Sequence, residues 1–160
     1  MTATTVPVID EDACLALLVQ LIRIKSYTET AGELQITQLL ADKMQDLGLD
    51  ADVHHFADGA RQNAIGRWQG SDPAGGTSKT LLFNGHLDTN PVGEGWTVDP
   101  WEGKVDDDFV YGIGVSNMKA GCAAYFCAVQ TLKAGGGGVG TVAAIWQGRM
   151  DADCFVNCEP

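Results

Sequence analysis

The chain has 160 residues, 45% hydrophobic and 19% charged, enough to bury one core and short of the length at which chains divide into several domains. No window approaches the roughly 18 consecutive apolar residues of a membrane span, and five cysteines without a CxxC pair offer neither a disulfide framework nor a thiolate zinc cage. Ten basic residues against 21 acidic ones give a net charge of −11, which opposes nucleic acid or anionic lipid as partners. The unpaired cysteines and the lack of a basic, apolar leader in Met1–Glu11 favour the cytoplasm.

Asp10, Glu11 and Asp12 precede Leu15, Leu18, Val19 and Ile22 at helical spacing, so a helix is expected over 11–25 with its acids at the positive end of the dipole. Thr30 and Glu33 have capping-box spacing. The stripe Ile36, Leu39, Leu40, Met44, Leu47 ends at Gly48, a residue suited to a left-handed C-cap. Val53–Phe56 and Asn63–Trp68 read as strands around the Asp58-Gly59 turn. After the Ser71–Ser78 loop, Thr80–Phe83 is a short apolar run of the kind found in central strands.

Gly85–Asp108 carries seven acids against Lys104, with Pro91 and Pro100 excluding a long helix; it reads as a solvated acidic loop, with Val105 and Val110-Tyr111 closing a hairpin. Met118–Leu132 is apolar nearly all round, as in a buried helix. The glycines Gly135–Gly138 break regular structure, Val139–Trp146 reads as a short helix, and Cys154–Cys158 as a strand running into Glu159 and Pro160.

Asn84-Gly85-His86-Leu87-Asp88 follows the central strand directly. Open α/β sheets bind ligands at the carboxyl ends of their strands. A histidine there can offer a neutral nitrogen to a metal, with Asp88 orienting the ring; equally, the pair can be a strand-end imidazole bonded to a turn aspartate. His54 and His55 are adjacent on a strand and so face opposite sides, which reads as surface or core-edge residues rather than ligands. Cys154 and Cys158 read as small buried hydrophobes, and Trp96 and Trp101 as either a cleft wall or loop anchors.

Three separated motifs, His86-Leu87-Asp88, Trp96–Trp101 and Tyr111–Gly121, together with Ile24-Lys25-Ser26, Gly32-Glu33 and the terminal Asn157-Cys158-Glu159-Pro160, resemble the acetylornithine deacetylase, succinyl-diaminopimelate desuccinylase and aminoacylase family of zinc metallopeptidases. The resemblance implies an α/β catalytic domain, a three-layer sandwich with a mostly parallel sheet, and hydrolysis of N-acyl amino acids or small peptides. It implies His86 and Glu159 as ligands of one ion, zinc or cobalt in its place, and Asp88 as the catalytic-site carboxylate behind the histidine. Asn117 stands at the position of a bridging aspartate, where a carboxamide supplies a weaker, neutral donor.

The family's general-base glutamate has no counterpart, because Lys133-Ala134 runs through the glycines straight into Val139-Gly140-Thr141. The expectation is therefore a shortened catalytic domain over 1–160 with one core strand missing, without the lid and dimerisation domain, holding one ion at most. A sheet with such a gap would expose edges and favour self-association. The alternative is a non-catalytic relative that binds one metal or a small ligand.

Overall fold

The computed structural model describes residues 7–70, 79–135, 141–145 and 154–157. Helix α1 (Glu11–Ile22) opens at Asp10, whose Oδ1 accepts the Ala13 N–H at 2.9 Å, so the acidic N-terminus works as an N-cap. Helix α2 (Ala31–Asp46) closes on Gly48 at φ +74°, the left-handed conformation its sequence position called for. The Thr30 hydroxyl donates to the Tyr27 carbonyl, and Glu33 takes the Glu29 N–H instead of that of Thr30. The capping-box residues are thus bonded differently from the expected box.

Strands β1 (Asp50–Phe56) and β2 (Arg61–Gln69) form an antiparallel hairpin through the tight turn Ala57–Gly59. Strand β3 (Thr80–Asn84) follows, then the small hairpin β4 (Lys104–Val105) and β5 (Val110–Tyr111), with Val105 opposite Val110. A single π-helical turn, Val115–Lys119, leads into α3 (Ala120–Ala134), and β6 (Thr141–Ile145) and β7 (Cys154–Asn157) complete the main sheet.

The order of that sheet is β1-β2-β6-β3-β7. Its first two pairings are antiparallel and its last two parallel, so the sheet is mixed rather than mostly parallel. The hairpin imposes the antiparallel half, since a three-residue turn cannot return a parallel strand; β3 and β6 can be parallel because α3 provides the long crossover.

Residues 141–145 are strand where a helix was expected, and β6 pairs with β2 on one side and β3 on the other. The expected gap in the sheet is therefore filled, and the case for self-association from a missing strand loses its premise. Val142, Ile145 and Thr141 are β-branched and follow a glycine run, but a five-residue apolar segment has too few turns for its period to separate strand from helix.

Leu17, Leu21 and Ile22 of α1, Ile36, Leu40 and Met44 of α2, and Cys122, Tyr125 and Val129 of α3 share one core. The helices described so far therefore lie together as one layer, and the third layer of a sandwich is not among the described residues. A Cβ on Gly66 of β2 would strike the Met44 sulfur; glycine there lets α2 sit directly on the hairpin. Phe83 of β3 stacks on Tyr125 of α3 with ring centroids 5.3 Å apart. No described helix is long and apolar enough to cross a membrane.

Candidate metal centre

Strand β3 delivers Gly85 against α3, where a Cβ would lie 2.6 Å from Met118 Cε and 3.0 Å from Cys122 Sγ. The next residue, His86, is held from behind by its carbonyl, which accepts from the Cys122 thiol at 3.6 Å. Its Nδ1 lies 3.0 Å from Asp88 Oδ1 and 3.2 Å from the Asp88 carbonyl. Both side chains are largely buried, at 24% and 16% exposure.

The hydrogen bond with His86 holds the Asp88 carboxyl down at about 2, against a desolvation cost that pushes the other way, and the Thr28 hydroxyl lowers it further. Asp88 is thus a carboxylate near neutral pH and can only accept hydrogen bonds. Both Asp88 oxygens facing the ring are acceptors, so the hydrogen bond between the two residues places a proton on Nδ1.

The segment Ile24–Thr30 is stitched onto this strand end. Ser26 Oγ donates to the Leu87 carbonyl at 2.7 Å, Thr89 N–H donates to the Ser26 carbonyl at 2.7 Å, and Tyr27 pairs with Thr89 in a parallel bridge. Thr28 Oγ1 then donates to Asp88 Oδ2 at 2.8 Å. Arg61, at the start of β2, reaches the same oxygen at 3.7 Å while its Nε and Nη2 bind Glu33 Oε1 at 2.9 and 2.7 Å. Glu33 is 6% exposed, and its second oxygen accepts the Glu29 N–H at 2.6 Å. Glu33 was expected as a helix cap and as part of the family-like Gly32-Glu33 segment, with no contact to Arg61 implied, and Thr28 and Arg61 carried no motif that marked them. Their contribution is tertiary and leaves no local pattern.

Asn117 lies exposed in the π-helical turn, next to Met118, whose methyl group approaches Gly85. The turn and the strand end are therefore neighbours. It begins at Gly114, φ +79°, where a Cβ would meet Thr89 Cγ2 at 2.7 Å. Lys119, which ends the turn, is 1% exposed; its Nζ donates to the Leu21 and Ile24 carbonyls at 2.8 and 3.2 Å and sits 5.5 Å from the Trp101 ring centroid.

Trp101 also packs edge-on against Tyr27 at 5.3 Å, which makes it a loop anchor; Trp96 is 41% exposed and lines a shallow cavity of about 300 Å³ with Tyr111. His54 and His55 are both exposed, as their strand position implied.

Glu159, expected as the second ligand, lies outside the described residues, as do Cys158 and Pro160. Among the described residues no three of His, Cys, Asp and Glu gather closely enough to hold a metal. The donor set described therefore fits one corner of a zinc site, an imidazole backed by a carboxylate, and does not complete it.

An α/β sheet presenting an aspartate-backed imidazole at the carboxyl end of a parallel strand has the makings of a metal-dependent hydrolase domain. Residues 82–149, which take in the end of β3, His86, Asp88, Asn117, α3 and β6, match the profile of Peptidase family M20/M25/M40. The chain belongs to this M20 family of peptidases and deacylases.

A protein named succinyl-diaminopimelate desuccinylase from Gluconobacter oxydans is 31% identical over 148 residues, covering 91% of this chain and 37% of the relative. One of the same name from Psychromonas ingrahamii is 38% identical over 119 residues, 72% of this chain and 29% of the relative. The chain thus spans about a third of the length of these curated relatives. A crystal structure of an M20 family metallo-carboxypeptidase, Sso-CP2 from Sulfolobus solfataricus, superposes with a TM-score of 0.77 at 19% identity over 90% of this chain and 36% of that one. Human carnosine dipeptidase 1 gives 0.73 at 24% identity over 86% of this chain and 32% of that one. These two likenesses establish the fold.

Proposed function

We propose that the chain forms the metal-binding part of a cytoplasmic amide hydrolase acting on N-acyl amino acids or small peptides, in the manner of an acetylornithine deacetylase, with zinc, or cobalt in its place, as its cofactor. The observation that carries the reading is the His86–Asp88 pair, 3.0 Å apart at the end of β3 and inside the stretch that matches the family. Relatives named for removing a succinyl group from diaminopimelate support an N-acyl amino acid as the substrate class.

His86, Asn117 and Glu159 would hold one ion; three protein ligands are the norm for catalytic zinc. When bound, such an ion supplies Lewis acidity toward an amide carbonyl. The chain's own part is to fix the imidazole: Asp88 keeps the proton on Nδ1, and Cys122 and Gly85 hold the backbone behind it against α3. A second reading, a relative that binds one ion without hydrolysis, is favoured by Asn117, whose neutral carboxamide is a weaker donor than a bridging carboxylate.

The test is a metal count and a hydrolysis panel of N-acetyl and N-succinyl amino acids and dipeptides, with added zinc or cobalt, on wild type and His86→Ala. The expected result is about one ion per chain and metal-dependent turnover, both lost in His86→Ala. Binding without turnover selects the second reading. Two ions per chain would overturn the single-site assignment, and no binding would remove both readings.

A further inference from the structure

We propose that Thr28 and Arg61, the latter fixed by Glu33, are positioning residues that set the direction of the His86 ring through Asp88. This rests on the reading of His86 as a metal ligand for its purpose, though not for its geometry.

A carboxylate that buttresses an imidazole must itself be prevented from turning, because rotation about its Cβ–Cγ bond carries the acceptor oxygen off the Nδ1–H axis. Asp88 Oδ1 faces His86, so the restraint has to act on Oδ2. Two groups from elements far away in sequence meet there, Thr28 Oγ1 at 2.8 Å and the Arg61 guanidinium at 3.7 Å. Thr28 supplies direction, as a hydroxyl donor within hydrogen-bond range. Arg61 supplies charge at slightly longer range.

Neither group is loose. Thr28 follows Ser26 and Tyr27, both tied to the Leu87–Thr89 backbone, so its position is referenced to the strand end it serves. Arg61 is gripped by Glu33 Oε1 through two N–H groups, and Glu33 Oε2 is occupied by the Glu29 N–H. Glu29 adopts φ +60°, a backbone conformation uncommon for a residue other than glycine, with its N–H directed at Glu33 Oε2. One guanidinium thus stands between two carboxylates and links β2, the start of α2 and the strand end of β3. Such outer partners commonly change metal affinity by about 10- to 100-fold when removed.

A purely structural role would move stability alone; a positioning role must move the imidazole. The experiment reads the His86 tautomer in the metal-free chain by long-range proton–nitrogen correlation NMR, above the ordinary imidazole pKa of about 6.5. Zinc affinity is read separately by competition with a chromophoric chelator. Wild type should hold the Nδ1–H form. Thr28→Val, at an exposed site where folding is not at stake, should raise the Nε2–H fraction and weaken zinc about tenfold, with Thr28→Ser restoring both.

Arg61→Met should act in the same direction and Arg61→Lys should restore it in part, because the charge remains while the fork does not. A tautomer unmoved in Thr28→Val and Arg61→Met overturns the proposal. A tautomer that moves while zinc affinity does not sustains the positioning role and removes the metal assignment, so the two failures are distinguishable.

Discussion

The segment between α1 and α2 is fastened by a cation at each end, and the two fastenings differ in kind. At its start, Lys119 donates to the carbonyls of Leu21 and Ile24 beneath the Trp101 ring. At its far end, Arg61 is bound by Glu33 and faces Asp88. Burial pushes the Lys119 ammonium down to about 8, since the oxygens that hold it are neutral dipoles. Arg61 moves the opposite way, raised chiefly by its hydrogen bond to Glu33. A buried cation held by dipoles keeps its charge at a cost, whereas one held by a carboxylate is stabilised in its charged form.

The largest effect expected from breaking this comparison is at Lys119. Lys119→Ala removes the donor from two inward carbonyls and leaves a cavity where a fully buried side chain stood. An orphaned buried acceptor costs about 1–3 kcal/mol, and the cavity adds to that, so a loss of about 4 kcal/mol is expected in urea unfolding. Lys119→Met fills the space and should recover the packing part only.

The pH dependence comes next and has a definite sign. Lys119 titrates near 8 in the folded chain against 10.5 when unfolded, so between those values the unfolded state binds more protons and stability rises with pH. The gain is at most about 3 kcal/mol and is complete above the unfolded value. Cys127, pushed up to about 12 by burial from an ordinary 9, works against it, because the unfolded thiol ionises first. The difference between wild type and Lys119→Met, followed by chemical denaturation across the alkaline range, cancels the cysteine contribution. A flat difference would mean that the Leu21 and Ile24 carbonyls and the Trp101 face fully offset the burial of the ammonium.

Local pattern and tertiary contact divided the work of specifying this region, which is why only part of it was legible in the sequence. Helix α2, the β1–β2 hairpin, β3 and the β4–β5 hairpin follow from apolar spacing and turn residues, and His86 with Asp88 was readable because both lie within three residues at a strand end. Helix α1 was expected to continue to residue 25 but ends at Ile22. Beyond it the Ile24 carbonyl is taken by Lys119, and Gly32 is where a side chain would collide with the Lys25 carbonyl. Those competitors lie elsewhere in the sequence or in the chain's return path. Strand β6 departs from the helix its sequence suggests for the converse reason: Ala143 and Ala144 suit a helix, and only its neighbours β2 and β3 make the segment extended. Thr28 and Arg61 have no periodic signal at all, being defined by the one oxygen they share.

The smallest effect belongs to the Arg61 end, and its form matters more than its size. Glu33→Gln keeps an oxygen acceptor of nearly the same shape and removes the charge, leaving Arg61 with the more distant carboxylates of Asp88 and Glu29. Arg61 is only 18% exposed, so the loss should exceed that of a surface ion pair and fall below that of a buried pair stripped of one member, about 1–2 kcal/mol. Because a guanidinium does not give up its proton in the accessible range, this loss should stay constant over the pH interval in which the Lys119 difference changes. Added salt should shrink it modestly, as screening weakens a partly exposed pair. A Glu33→Gln loss that grew or vanished between neutral and alkaline pH would show that the two fastenings are coupled through the segment they share, rather than acting independently at its ends.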